Sequence, residues 1–265
     1  FDPDKLHTLN HIGKHLKVKG PLNIERPPQG HPVIVQAGSS EDGKELAAAS
    51  AEAIFTAWTS LAEAKAFYQD VKGRLAKYGR RPEQLLVLPG ISTVIGRTEE
   101  EAQAKWAELQ ALIHPSVGLA TLVPFWPGED LTKWNLDAPP PYIPEPPKGI
   151  NSRAHVVLEL ARRDKLTVRQ LYEYLAGARG HWVVIGTPQT IADRMQEWFE
   201  NGACDGFNVM PPVLPQSLNE FVDLVVPELQ KRGLFRTAYE GTTLRENLGL
   251  ERPASRYAVP LAKAA

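Results

Sequence analysis

Short apolar runs alternate with amphipathic helical patterns along most of the chain. The runs at 33–37 and 52–57 are continuous and rich in β-branched or aromatic residues, which is typical of strands buried on both faces of a parallel sheet. After the second run, apolar residues recur at helical spacing as far as about Tyr78, at Leu61, Ala64, Phe67, Tyr68, Val71 and Leu75. We predict an α/β fold with a parallel sheet, whose repeated strand–helix units have strands at 33–37, 52–57, 85–96 and 206–210.

Polar residues at capping-box spacing mark where the helices of these units begin. The pairs are Ser39 and Asp42, Ser60 and Glu63, Thr98 and Glu101, and Ser217 and Glu220. Gly233 is placed to end the last long helix.

Residues 114–180 interrupt this alternation. The segment contains a Pro-rich stretch that starts at Asp137, followed by two short helical patterns capped by Ser152 and Thr167. Because long loops in compact domains are commonly functional, we predict a lid with few regular elements and low local stability. A poorly ordered linker is the alternative, against which stand the aromatic residues Phe125, Trp126, Trp134 and Tyr142. The apolar run 181–185 then predicts a short strand.

The N-terminal segment 1–32 has few helix signals. Polar and apolar residues alternate over 14–19, which predicts one arm of a hairpin. His7, His11 and His15 have the spacing of metal ligands on a helix face, but Gly13 and the alternation argue against a helix. We therefore predict no metal site.

Composition narrows the classes of partner. The 30 Lys and Arg nearly balance the 31 Asp and Glu, so the formal charge of −1 provides no field that attracts nucleic acid or an anionic membrane. No apolar run approaches the roughly 18 residues that a membrane-spanning helix needs. The single cysteine, Cys204, cannot form an internal disulfide. We expect a cytoplasmic protein with neither nucleic-acid nor membrane partners.

The turn Ala37-Gly38-Ser39-Ser40 is the most informative candidate site. Glycine permits a ligand to approach the backbone, and serine hydroxyls together with free N–H groups at a helix start can hold a phosphate. An ordinary turn and helix cap is the alternative interpretation. A second candidate phosphate site is Gly186–Thr190, where an ordinary capped helix is favoured. His181 is either structural or faces a substrate.

Several segments together resemble one group of enzymes. They are Gly20–Ile24, Pro28–Ser40, Ala51–Thr56, Ala178–His181, Gly186–Pro188, Asp205–Pro212 and Val225–Arg236. The group is the two-component flavin monooxygenases of the bacterial-luciferase type, which includes the nitrilotriacetate, EDTA, dibenzothiophene-sulfone and long-chain alkane monooxygenases. The similarity extends over about residues 1–253.

The resemblance implies a luciferase-like (β/α)8 barrel, also called a TIM barrel. The chain resembles strands five to eight, so we expect residues 1–265 to be the C-terminal half of one barrel domain whose N-terminal half is missing. The insertion at about 114–180 would follow strand seven and cover the active site. The resemblance also implies that Ala37, Gly38, Ser39 and Ser40 bind the phosphate of FMN, while catalytic residues remain unassigned.

The implied activity is oxygenation of a small organic substrate with O2 and reduced FMN, which a separate NAD(P)H:flavin reductase supplies. The cofactor would carry the chemistry while the protein orients it and excludes water, which explains why the sequence shows no catalytic triad. The complete protein is expected to be a homo-oligomer. Two alternatives are a non-catalytic half-barrel or binding module and a deazaflavin-dependent oxidoreductase of the same superfamily.

Overall fold

The computed structural model describes residues 2–141, 151–255 and 257, with the backbone alone over 151–156. Contacts divide the chain into two compact units, one formed by Ile34–Ala238 and the other by the segments before and after it. Among the described residues, no helix combines the length and the apolar character needed to cross a bilayer.

The smaller unit contains the predicted hairpin. Strand β1 (His11–Ile12) pairs antiparallel with β2 (Lys17–Val18). A short helix at Leu244–Asn247 carries Arg245, which is buried and donates hydrogen bonds to the carbonyl oxygens of His31 and Glu251. Because His11 lies in strand β1, the segment around it is extended and the three histidines share no helix face.

Five parallel strands form the framework of the larger unit. They are β3 (Val35–Gln36), β4 (Ala53–Thr56), β5 (Leu86–Ile95), β6 (Trp182–Gly186) and β7 (Asn208–Val209). Their order is β3-β4-β5-β6, and β7 also pairs with β5. The four predicted strands of the repeated units and the short strand predicted at 181–185 are confirmed.

Strand β5 changes partners near its midpoint. Residues 86–89 pair with β4, residues 91–95 pair with β6, and Gly90 and Ile91 pair with β7. Pro89, which has no N–H to donate, stands where the pairing with β4 ends. The pairing of β4 therefore ends with Thr56 opposite Pro89, and that of β6 begins with Trp182 opposite Ile91, two residues further along β5.

Nine helices are described in the larger unit. They are α1 (Glu41–Ser50), α2 (Leu61–Arg74), α3 (Glu99–Ala111), α4 (Pro115–Leu122), α5 (Asn151–Arg163), α6 (Val168–Ala178), α7 (Pro188–Glu200), α8 (Gln216–Glu220) and α9 (Val226–Lys231). A 3₁₀ turn continues α2 to Tyr78, as predicted. A π turn at Phe221–Val225 joins α8 to α9, because Pro227 cannot donate the hydrogen bond of a regular helix there.

Two apolar clusters pack these helices against the sheet. The first joins α1 and α2 to β4 and β5 through Ala47, Ile54, Phe67, Val71 and Val87, which confirms the predicted stripe of α2. The second joins α7 and the last helices to β5 and β6 and includes the stacked Trp182 and Trp198 rings, whose centroids lie 4.1 Å apart.

Helix capping departs from the predictions at three starts. Ser60 precedes α2 as predicted, but its side chain makes no capping hydrogen bond. Thr98 caps α3 as predicted, accepting from the Glu101 N–H. The pair Ser39 and Asp42 is wrong, because α1 begins one residue later and Ser40 accepts from the Gly43 N–H instead. The Ser217 cap is also wrong: Pro215 precedes α8, and Ser217 lies buried inside it. Gly233 has the positive φ of a helix terminator.

The insertion at 114–180 is more regular than predicted. The two short helices predicted here are confirmed as α5 and α6, and Thr167 caps α6. Together with α4 they enclose an apolar cluster that includes Leu122, Phe125, Trp126 and Leu171, so the expectation of few regular elements is wrong. Gly118 makes this packing possible, since a Cβ there would lie 2.2 Å from the Tyr172 ring. Two of the predicted aromatic anchors, Phe125 and Trp126, are buried. Tyr142 lies outside the described residues.

Candidate active site

A cavity of about 320 Å³ opens where β3 and β4 end. Ala37, Gly38, Ser39 and Ser40 line one side, and Phe55, Thr56, Ala57 and Trp58 follow from the neighbouring strand. Val157, Arg179, Gly180 and His181 complete the lining from the insertion and the residue that follows it. Its size is within the range of small-molecule sites, and ligands of parallel α/β proteins bind at the carboxyl ends of the strands.

Two glycines shape the turn Ala37–Ser40, here called the serine turn. A Cβ on Gly43, in the first turn of α1, would lie 2.9–3.0 Å from backbone atoms of Gly38, so only the absence of both side chains allows the turn to rest on the helix. Ser40 holds this geometry by accepting from the Gly43 N–H at 3.1 Å. The turn thereby presents Ser39 and Ser40 to the cavity at the N-terminus of α1, where backbone N–H groups lack carbonyl partners.

Buried polar atoms at the end of β4 lack protein partners. Among the described residues, the Thr56 hydroxyl and the Trp58 indole N–H have no hydrogen-bond partner, although Thr56 is only 3% exposed. An unmade hydrogen bond of this kind costs about 1–3 kcal/mol. Both residues line the cavity, so two unsatisfied polar atoms lie beside the space that a ligand would occupy.

Aromatic rings form the apolar part of the cavity. The His181 imidazole stacks on Phe55 with centroids 4.9 Å apart and planes at 10°. A Cβ on Gly90 of β5 would lie 2.6 Å from His181 Nδ1 and 2.8 Å from both Phe55 and the Met210 sulfur. Glycine at this point of the strand therefore leaves the space that the stacked rings occupy.

The end of the insertion is held in a fixed conformation. Arg179 ends α6 in the left-handed region at φ 53°, and Gly180 follows at φ 80°. The Tyr174 hydroxyl donates to the His181 carbonyl oxygen at 2.8 Å, and burial raises the pKa of this phenol. This turn directs both Arg179 and His181 to the cavity.

The second candidate phosphate site contains a carboxylate of the protein itself. Glu99, the first residue of α3, accepts hydrogen bonds from the Thr190 hydroxyl at 2.5 Å and from the Thr187 N–H at 3.3 Å. Thr187 also caps α7 by accepting from the Thr190 N–H. An anion at this helix start would have to displace Glu99, so the geometry favours the ordinary capped helix.

The structure brings the four predicted turn residues and His181 to one cavity. His7, His11 and His15 belong to the smaller unit and share no helix face. The described residues include no cluster of three or more His, Cys, Asp or Glu suited to a metal ion. Sequence reasoning missed Thr56, Trp58 and Arg179 as lining residues. The first two were detectable, because they lie at the end of a predicted strand, at the same edge as the serine turn. Arg179 was not, because its left-handed conformation has no sequence signal.

Comparison with known proteins identifies relatives of the chain. A family model described as luciferase-like monooxygenase matches residues 6–205. The chain is 55% identical over 97% of its length to N-acetyl-S-(2-succino)cysteine monooxygenase of Bacillus subtilis (strain 168), covering 59% of that protein. It is also 55% identical over 97% of its length to nitrilotriacetate monooxygenase component A of Aminobacter aminovorans, covering 57% of it.

A solved structure supports the same relationship. The fold matches the crystal structure of DmoA from Hyphomicrobium sulfonivorans with a TM-score of 0.79 and 33% identity, over 92% of this chain and 51% of that one. The chain thus spans between half and three fifths of these relatives' lengths. The identity and the matched parallel α/β fold place the chain in the luciferase-like monooxygenase family.

Proposed function

We propose that the protein is an FMN-dependent monooxygenase of the two-component type, and that the cavity at the ends of β3 and β4 is its flavin site. The observation that carries the proposal is the serine turn at the N-terminus of α1, open to a cavity in which Thr56 and Trp58 hold buried polar atoms without partners. When bound, reduced FMN would supply the reaction with O2 and the transfer of one oxygen atom to an organic substrate.

The residues present fit the phosphate end of FMN. Ala37 and Gly38 let the backbone approach the ligand, and the Ser39 and Ser40 hydroxyls can donate to phosphate oxygens beside the N–H groups of α1. Ser40 accepts from Gly43 through its oxygen, which leaves its own proton available to a phosphate. The site therefore needs no lysine to recognise phosphate.

The rest of the cavity lining is mainly apolar, which fits the flavin ring and an organic substrate. Phe55, Ala57 and Val157 are apolar, and His181 is held by stacking and through its backbone carbonyl. Apolar walls exclude water from the reacting atoms, and a positioned imidazole can donate to or accept from a substrate. We assign His181 to the substrate side of the site and the insertion to its cover.

The barrel assignment is part of this proposal. We infer that β3, β4, β5 and β7 correspond to strands five to eight of a (β/α)8 barrel, with β6 extending the pairing of β5 after the insertion. The cavity lies at the carboxyl ends of the strands, where barrel enzymes bind their ligands, and this supports the assignment. Contacts to the flavin ring from strands one to four would complete the site.

A flavin reductase is the proposed partner. One of the 55% identical relatives is named as component A of its monooxygenase, which implies a second component for that enzyme. We propose that this protein likewise receives reduced FMN from a separate NAD(P)H:flavin reductase.

An isotope experiment tests the proposal. The protein expressed from its own gene would be mixed with photoreduced FMN and ¹⁸O2, with nitrilotriacetate and N-acetyl-S-(2-succino)cysteine as first candidate substrates. We expect a product that contains one ¹⁸O atom and forms only with reduced FMN. Product formation with a reduced deazaflavin and not with FMN would contradict the proposal, and so would failure of the protein to bind flavin.

A further inference from the structure

The serine turn offers a phosphate ligand no positively charged side chain. Serine hydroxyls and backbone N–H groups are neutral, and the first turn of α1 carries two carboxylates, Glu41 and Asp42. Glu41 pairs with Lys44 and Arg74, whose hydrogen bonds lower its pKa, so the charges of these two cations are offset by the carboxylate between them. A cation that faces the cavity would add to phosphate binding a charge that the serine turn does not supply.

Arg179 is a cation at this cavity. Among the described residues that line the cavity, it is the one with a permanent positive charge. Its backbone is fixed by the hydrogen bond from its N–H to the Leu175 carbonyl oxygen at 2.8 Å and by the following Gly180. A non-glycine residue in the left-handed region is uncommon, and glycine would adopt this helix-ending conformation with less strain. The arginine is therefore at a position where backbone preference alone would select glycine.

We propose that Arg179 binds the flavin phosphate from the insertion side of the cavity and makes the site selective for the phosphorylated flavin. This inference rests on the proposed flavin function. A planar guanidinium can donate two parallel hydrogen bonds to a phosphate, which adds both charge and direction to the neutral contacts of the serine turn. Because the insertion carries Arg179, it contributes to cofactor binding as well as covering the site.

The same turn links the phosphate to the substrate side. His181 lies two residues after Arg179, its N–H donates to the Ala178 carbonyl oxygen at 3.0 Å, and its ring stacks on Phe55. A phosphate held by Arg179 thereby restricts the segment that positions His181. Flavin without a phosphate would leave this end of the insertion more mobile.

Flavin titrations of three arginine variants test the inference. Arg179→Gln and Arg179→Gly remove the guanidinium, and the glycine variant also removes the backbone strain. Arg162→Gln is the matched control, because Arg162 lies in the insertion, is 64% exposed and pairs with Glu159 outside the cavity. Each variant of the protein from its own gene would be titrated with FMN and with riboflavin, and its thermal unfolding recorded.

We expect both Arg179 variants to weaken FMN binding by at least about tenfold while changing riboflavin binding by less than about twofold. Arg179→Gly should unfold at the same or a higher temperature than the wild type, and Arg162→Gln should leave both flavin affinities unchanged. A purely structural role would instead lower the melting temperature and weaken both flavins equally.

The outcomes separate this inference from the proposed function. If Ser39→Ala weakens FMN binding and the Arg179 variants do not, the arginine assignment is overturned and the flavin site stands. If the wild-type protein binds riboflavin as tightly as FMN, phosphate recognition is absent and the arginine assignment is also overturned. If it binds neither flavin, both proposals fail.

Discussion

Adjacent serines in the turn after β3 have different local contacts. Ser40 accepts the capping hydrogen bond of α1, whereas Ser39 precedes the cap and faces the cavity. We expect Ser39→Ala to raise the FMN dissociation constant about tenfold or more with unchanged stability, since a hydrogen bond to a charged group contributes about 1.5–3 kcal/mol.

Ser40→Ala should weaken FMN binding and also lower the free energy of unfolding by about 1 kcal/mol through loss of the cap. Flavin titration combined with urea denaturation of both variants distinguishes the two roles. Equal losses of stability in both variants would contradict this division of roles.

Gly43 and Gly73 provide a matched pair at the residue scale. A Cβ at position 43 would meet the Gly38 backbone at 2.9–3.0 Å, whereas nothing lies within 4 Å of one at position 73. We expect Gly43→Ala to lower stability and flavin affinity together, because the turn must move away from the helix. Gly73→Ala should raise the free energy of unfolding by up to about 1 kcal/mol through helix propensity alone. If Gly43→Ala binds FMN like the wild type, the close approach of turn and helix is not needed for the site.

At the scale of elements, the insertion has the packing of a small helical subdomain. Leu171 of α6 is fully buried in its cluster, whereas Leu112 at the end of α3 is 77% exposed. We expect Leu171→Ala to destabilise the insertion by about 2–5 kcal/mol, and Leu112→Ala to have little effect. Hydrogen exchange should show faster exchange in α4 and α6 of the Leu171 variant, with β4 and β5 unaffected. Unchanged exchange in those helices would contradict a separate insertion core.

The link between α7 and β7 contains a group that titrates at high pH. Burial first, and the nearby Asp205 carboxylate second, raise the pKa of the Cys204 thiol to about 12. The folded state favours the neutral thiol, so this contribution to stability is complete below the unfolded pKa of about 9 and is lost as the pH rises toward 12.

We therefore expect the wild-type protein to lose more stability between pH 8 and pH 10.5 than the Cys204→Ala variant does, as measured by urea denaturation. Parallel losses would show that the thiol does not titrate differently in the two states. Cys204 should also resist thiol reagents until the protein unfolds, because it is 2% exposed.

The elements were predictable where periodicity and burial agree. The strands at 52–57 and 85–96 and the apolar stripe of α2 follow from local pattern, because continuous apolar runs and helical spacing have few other solutions. The helical core of the insertion was not predictable, because its prolines suggested a loop. Burial of Phe125, Trp126 and Leu171 depends on contacts between residues distant in sequence. The cap of α1 was misplaced by one residue because Ser39 and Ser40 are both good caps.

At the scale of the whole molecule, the site was predictable in part. The rule that ligands bind at the carboxyl ends of parallel strands pointed to both candidate turns, and the cavity lies at the serine turn. Selection against Gly186–Thr190 required the position of Glu99, which comes from an element about ninety residues earlier. The single-domain and homo-oligomer expectations and the cytoplasmic setting stay predictions.

A crystal structure of the protein with FMN bound tests the central claim most directly. We predict phosphate oxygens within about 3 Å of the Ser39 and Ser40 hydroxyls and of N–H groups at the start of α1, with the ring extending toward Phe55 and His181. A phosphate bound instead at Thr187–Thr190, with Glu99 displaced from that helix start, would contradict the account.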